Sequence, residues 1–160
     1  MDFRPSGQAL GPLPEMNPLK TLKTLKTLNM DLTYYAQRCI IAYVRNTIEA
    51  FKAVGEPTRF RALRLLVEAK TDLCACEIID VLEKPQYTIS KSLGALVDAG
   101  LLDERREGRM MMYALAHNPV NDAIFQAVAK VPPNEELTAD RKRLDARLAR
   151  RENGACVYNC

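Results

Sequence analysis

Histidine is nearly missing from this chain: His117 stands alone among 160 residues. A zinc or cobalt site, which favours imidazole and carboxylate together, therefore has one imidazole to draw on, and His117 reads as an ordinary polar residue at the end of a strand pair. An excess of one charge is missing too. The 23 Lys+Arg against 20 Asp+Glu leave a net charge of only +3, which excludes a large, uniformly basic surface. Any contact with nucleic acid must then come from where the cations sit. No apolar run approaches the ~20 residues of a membrane span; the stretch 39–44 (Cys-Ile-Ile-Ala-Tyr-Val) is among the longest. The first thirty residues carry Pro5, Pro12, Pro14 and Pro18 and have no apolar centre of a secretory signal. The expectation is a soluble, cytoplasmic protein without a membrane partner.

Cysteine is present in an odd number: Cys39, Cys74, Cys76, Cys156 and Cys160. An odd count with no secretion signal argues against a disulfide framework. Reduced, closely spaced thiols are more often metal-binding or catalytic.

The length suits one domain, and a hydrophobic share of 48% is enough for one core. Residues 1–32 hold the prolines and Leu-Lys-Thr triplets over 19–28. Leucine at every third position winds around a helix instead of holding one face, so a disordered extension is expected, with Met1, Met16 or Met30 as the start. Residues 33–131 are regular. Ile40, Val44, Ile48 and Phe51 recur at helical spacing up to Gly55. Pro57 suits the first turn of a second helix, in which Phe60, Leu63, Leu66 and Val67 face one way and Arg59, Arg61 and Arg64 largely elsewhere. Helices over 74–82 and 87–99 flank a break at Glu83-Lys84-Pro85, and Gly100 ends the second. Two strands, 101–106 and 109–115, turn at Glu107-Gly108, and a helix over 120–130 follows. Residues 132–160 form a charged helix over 135–151 and a cysteine-bearing tail.

Helix, short turn, helix and hairpin is the order of a winged helix-turn-helix, so the fold class expected is mainly α with a β-hairpin. The second helix of the pair opens with polar residues. Gln86 can read adenine, Tyr87, Thr88 and Ser90 can donate to phosphate, and Lys91 can pair with phosphate or guanine. No acidic residue falls between Lys84 and Val97. Arg105, Arg106 and Arg109 surround Gly108 and suit phosphates or a minor-groove edge. A solvated polar face and a charged hairpin tip would show the same pattern.

Four stretches together resemble the ArsR/SmtB transcriptional repressors: 54–59 (VGEPTR), 72–77 (DLCACE), 86–93 (QYTISKSL), and 105–109 (RREGR) followed by Tyr113. The resemblance covers about residues 51–116. It implies a homodimeric repressor of double-stranded operator DNA, released by a metal or metalloid ion, with the dimer built by helices 33–54 and 120–130. It also implies that Cys74 and Cys76 are ion ligands. Residues two apart on a helix point about 200° apart, so joint ligation requires an unwound helix start, and a helix N-terminus favours the thiolate. Arsenite-sensing relatives commonly have a third cysteine where this chain has Ile79. The Asp-x-His and His-x-x-Glu pattern of zinc-sensing relatives is absent from 120–130. Sulfur-only coordination selects thiophilic ions: As(III) or Sb(III) as inducer, with Cd(II) or Pb(II) as the alternative. The third sulfur must come from Cys39, Cys156 or Cys160. Cys39 reads as a buried structural residue, whereas Cys156 and Cys160 lie on the tail, and together they would complete a four-sulfur site.

Other classes fit less well. A thiol enzyme would need an anion-cradling loop after its cysteine, but Glu77-Ile78-Ile79-Asp80 follows Cys76, and no base is near. A repressor sensing oxidants through a Cys-x-Cys disulfide and an interaction module using the basic residues of 138–151 remain as alternatives.

Overall fold

The computed structural model describes residues 32–151 together with Cys156, and side chains from Ile40 onward. The expected extension lies outside these residues except for Leu32, which opens helix α1 (Leu32–Val54). The chain divides into two compact units, 1–42 and 43–160. The first contributes the N-terminal part of α1 to the described residues, and everything below belongs to the second.

Gly55 closes α1 with its N–H on Phe51 O at 3.1 Å. Glu56 then caps α2 (Pro57–Ala69), its carboxylate accepting from Thr58 N at 3.0 Å and Arg59 N at 2.8 Å, with Pro57 in the first turn. After α2 come β1 (Leu73–Cys74), α3 (Ala75–Leu82) and α4 (Gln86–Asp98). Between the two helices Glu83 adopts φ 51°, a left-handed stop, and Pro85 (φ −55°, ψ 142°) starts α4. β2 (Leu102–Glu107) and β3 (Met110–Leu115) form the hairpin, with Gly108 at φ 60° in its turn. Helices α5 (Pro119–Lys130) and α6 (Glu135–Leu148) follow. The sheet is antiparallel in the order β1-β3-β2. The order of helices and hairpin agrees with the expectation; β1 was not anticipated, and it takes Cys74 out of the helix.

The core gathers Leu63 and Leu66 of α2, Ile78 and Leu82 of α3, and Ile89, Leu93 and Leu96 of α4, each at most 1% exposed. Buried Asn121 ties α5 to the hairpin by donating to Gly100 O at 2.7 Å and Ala116 O at 2.6 Å.

Two arginines expected away from the core are buried. Arg61 grips Asp140 of α6 with Nε at 2.7 Å and Nη2 at 2.8 Å, and the side chains are 8% and 3% exposed. Hydrogen bonding to Asp140 holds the Arg61 pKa above its ordinary value against the opposing effect of burial. Arg64 donates to Val131 O at 2.7 Å and Val128 O at 3.3 Å, so it satisfies carbonyls at the end of α5. Helix α6 turns Arg143 and Arg147 toward the body, and Arg151 just beyond it points the same way. Arg143 reaches Val81 O at 2.6 Å, and Arg147 pairs with Asp80 at 3.0 Å.

Asp140→Ala should therefore cost about 1.5–3 kcal/mol, because the buried Arg61 loses its two hydrogen bonds to that carboxylate and keeps only Glu136 as an ionic partner. Urea unfolding should also show that replacing both Arg61 and Asp140 by leucine recovers much of that loss. Glu56 supplies a second, pH-dependent test. Burial opposes its carboxylate, yet the Thr58 and Arg59 N–H groups leave its pKa below the ordinary value. Its contribution is thus present above the unfolded-state pKa and is lost as pH falls through the folded one. Acid titration of stability should show a smaller loss in Glu56→Gln than in the parent protein.

Candidate functional site

The polar residues at the start of α4 lie on its exposed side. Pro85 cannot continue the preceding helix, so α4 begins abruptly and exposes Gln86, Tyr87, Ser90 and Lys91, with Thr88 half-buried. Tyr87 is 77% exposed. Ile89, Leu93 and Leu96 anchor the opposite side in the core.

The three wing arginines are all exposed, but they are not equivalent. Arg105 is bound to Asp72, just before β1, and to Glu107, and these hydrogen bonds raise its pKa. Arg106 Nε donates to Gly108 O at 3.1 Å. His117 is exposed at the end of the hairpin, with Nδ1 2.6 Å from Asp122 Oδ1 and its ring edge-on to Phe125.

A sulfur cluster sits beneath the start of α3. Cys74 is the residue before α3, extended at φ −80° and ψ 155°, and pairs across the sheet with Met112. It has no exposed surface. Cys156, expected on the tail, is 9% exposed. The two sulfurs are in disulfide contact, with Cα atoms 6.7 Å apart. Cys76, the second residue of the helix, is half-buried and packs against this pair, as does Met110. Because Cys74 is extended rather than helical, the opposed directions of an i, i+2 pair on a regular helix do not apply. The Cys39 side chain and Cys160 lie outside the described residues.

The sequence reading missed the groups around these thiols. The fully buried Glu77 caps the same helix start, its Oε2 accepting from Cys74 N at 3.0 Å. Arg151 grips both carboxylate oxygens, Nε to Oε1 and Nη2 to Oε2, each at 2.7 Å, and donates to Asp72 O at 2.7 Å. Arg147 Nη2 stands 4.0 Å from Cys156 Sγ. The ligand atoms of Cys74, Cys156 and Glu77 all lie within 4.8 Å of one another, and all three residues are buried. The donor set could hold a metal ion: two buried sulfurs in contact, a third beside them, and a carboxylate paired with Arg151. Glu77 was detectable as the third residue after a helix cap. Arg151 carried no comparable signal.

Comparison with known proteins bears on this architecture. Residues 56–104 match the description "Bacterial regulatory protein, arsR family". The chain is 45% identical to an uncharacterised HTH-type transcriptional regulator of Methanocaldococcus jannaschii, across 48% of this chain and 84% of that protein. It is 39% identical to the arsenic resistance transcriptional regulator ArsR1 of Pseudomonas putida, across 59% of this chain and 73% of that one. In fold it is similar to reduced HlyU from Vibrio cholerae, with a TM-score of 0.51 at 22% identity, covering 59% of this chain and 97% of the other.

The unequal arginines give a test. For duplex DNA, Arg106→Ala and Arg109→Ala should each lower the slope of log affinity against log salt by about 1. Arg105→Ala should lower it less, because Asp72 and Glu107 already compete for that guanidinium. Equal effects of all three substitutions in a fluorescence titration would contradict this.

Proposed function

The chain belongs to the ArsR family of transcriptional regulators, which are DNA-binding proteins and not enzymes, and from that premise we propose an operator-binding homodimeric repressor released by As(III) or Sb(III) on Cys74, Cys76 and Cys156. The observation that carries this reading is the buried contact between Cys74 and Cys156 with Cys76 packed against it. Trivalent arsenic takes three thiolates, and thiolate-only coordination favours thiophilic ions over those that prefer imidazole or oxygen. The relative from P. putida named for arsenic resistance supports the same choice.

In this reading Gln86, Tyr87, Thr88, Ser90 and Lys91 face the major groove, and Arg106 and Arg109 hold the flanking backbone. Cys74 belongs both to the ion site and to the sheet of the wing. Ion binding that draws Cys74 and Cys76 together therefore acts on β1, and through the Cys74–Met112 and Met112–Arg105 pairings on the wing. Dimerisation rests on α1, whose Val44, Ile48 and Phe51 follow one another along one face and are 49%, 48% and 62% exposed.

The sulfur contact favours one other reading, release by oxidation. Peroxide would take two electrons from the Cys74 and Cys156 thiols, which lose two protons as the S–S bond forms, and would itself be reduced to water. Cd(II) or Pb(II) with Cys160 as a fourth sulfur is the remaining ion choice.

Operator release by As(III) in fully reducing buffer separates these readings. The parent protein should be released, with a coupling of about 5–150-fold in DNA affinity. Cys74→Ser, Cys76→Ser and Cys156→Ser should each still bind DNA and lose release. Response to peroxide alone would favour oxidation, and arsenite release of a chain ending at Asn153 would remove Cys156 from the site.

A further inference from the structure

The carboxylate beside the thiols raises a question of selectivity. Glu77 places an oxygen within 4.8 Å of both Cys74 Sγ and Cys156 Sγ, close enough to share an ion with them. Cadmium and zinc accept mixed sulfur and oxygen donors. A site with two or three thiols and a buried carboxylate would therefore suit divalent ions at least as well as trivalent arsenic. In this protein the carboxylate is already engaged. Arg151 takes Oε1 through Nε and Oε2 through Nη2, each at 2.7 Å, and Oε2 also accepts from Cys74 N at 3.0 Å. The bidentate guanidinium takes one lone pair of each oxygen, the Cys74 N–H takes a second on Oε2, and the guanidinium cancels the charge that would draw a second cation.

We propose that Arg151 sets the ion preference of the site by withholding the Glu77 carboxylate, so that the cluster offers sulfur alone. Arg151 is a positioning residue: it touches no ion and acts through Glu77. Its placement supports the role. It follows α6, is only 11% exposed in its side chain, and its hold on Asp72 O at 2.7 Å fixes it across the entry to β1. Without the guanidinium, Glu77 would be a buried charge with no cationic partner. A divalent ion bound between Glu77 and the thiols would supply the missing positive charge. This inference rests on the ion-sensing reading above, but it makes a separate claim about which ions are refused.

The test uses the full, reduced chain with Cd(II) and As(III) as probes. Cd(II) affinity is read by competition with a chelating indicator and by sulfur-to-cadmium absorption. Arg151→Gln should bind Cd(II) about tenfold or more tightly than the parent, the size of effect common for residues that orient a ligand. Adding Glu77→Gln to that variant should abolish the gain, and the parent protein should keep its As(III) absorption. Unchanged Cd(II) affinity in Arg151→Gln would overturn the proposal. So would a gain that survives in the double variant, since it would then come from lost repulsion alone. If Arg151→Gln folds poorly, its melting temperature is measured with and without Cd(II). A Cd(II)-dependent rise larger than the parent's supports the proposal, and an equal or smaller rise overturns it. Failure of the parent protein to bind As(III) through its thiols would instead overturn the ion-sensing reading itself.

Discussion

A carboxylate removed from water must be met by donors on its open sides. Glu77 has no exposed surface, and the demand it creates organises the region around it. Its own helix start supplies one donor, the Cys74 N–H; the rest come from Arg151, 74 residues away. Satisfying one buried charge thus fixes the turn that carries Cys74 and brings the residue after α6 to the same place. Cys156 lies a few residues beyond that anchor. The Arg61–Asp140 and Arg147–Asp80 pairs hold α6 along its length. The sulfur cluster is therefore assembled by ionic anchors as much as by apolar packing.

The same turn belongs to the wing. Cys74 ends a two-residue strand, and the sheet aligns it with Met112, which is aligned in turn with Arg105. Asp72, two residues before Cys74, binds Arg105 directly. A displacement of the sulfur-bearing strand would be felt at Arg105 of the hairpin through the sheet register and the Asp72 ion pair. A packed sheet edge that has two arrangements is the kind of element on which coupling between two sites depends.

Much of this was legible in the sequence because it is periodic or punctuated. Apolar spacing marked the helices, Pro57, Pro85 and Gly100 marked their ends, and Glu107-Gly108 marked the hairpin turn. The clustering of polar residues at the start of α4 needed no coordinates. What escaped notice was non-local or too short to have a period. β1 has only two residues, and its existence depends on pairing with a strand some forty residues away. Arg61 and Arg64 read as solvent-facing because their partners, Asp140 and the end of α5, come from distant parts of the chain. Cys74 and Cys156 are 82 residues apart, so their juxtaposition is a product of tertiary structure. Arg151 looked like one more cation in a basic helix, and only the burial of Glu77 distinguishes it from its neighbours.

The central claim is that Cys74, Cys76 and Cys156 form one three-sulfur site. X-ray absorption at the arsenic edge, on the fully reduced parent protein loaded with one equivalent of As(III) per chain, tests it most directly. The account predicts three sulfur neighbours and no oxygen in the first shell, falling to two sulfurs when Cys156 is replaced by serine. A first shell containing oxygen in the parent protein, or one that keeps three sulfurs after that replacement, would contradict it.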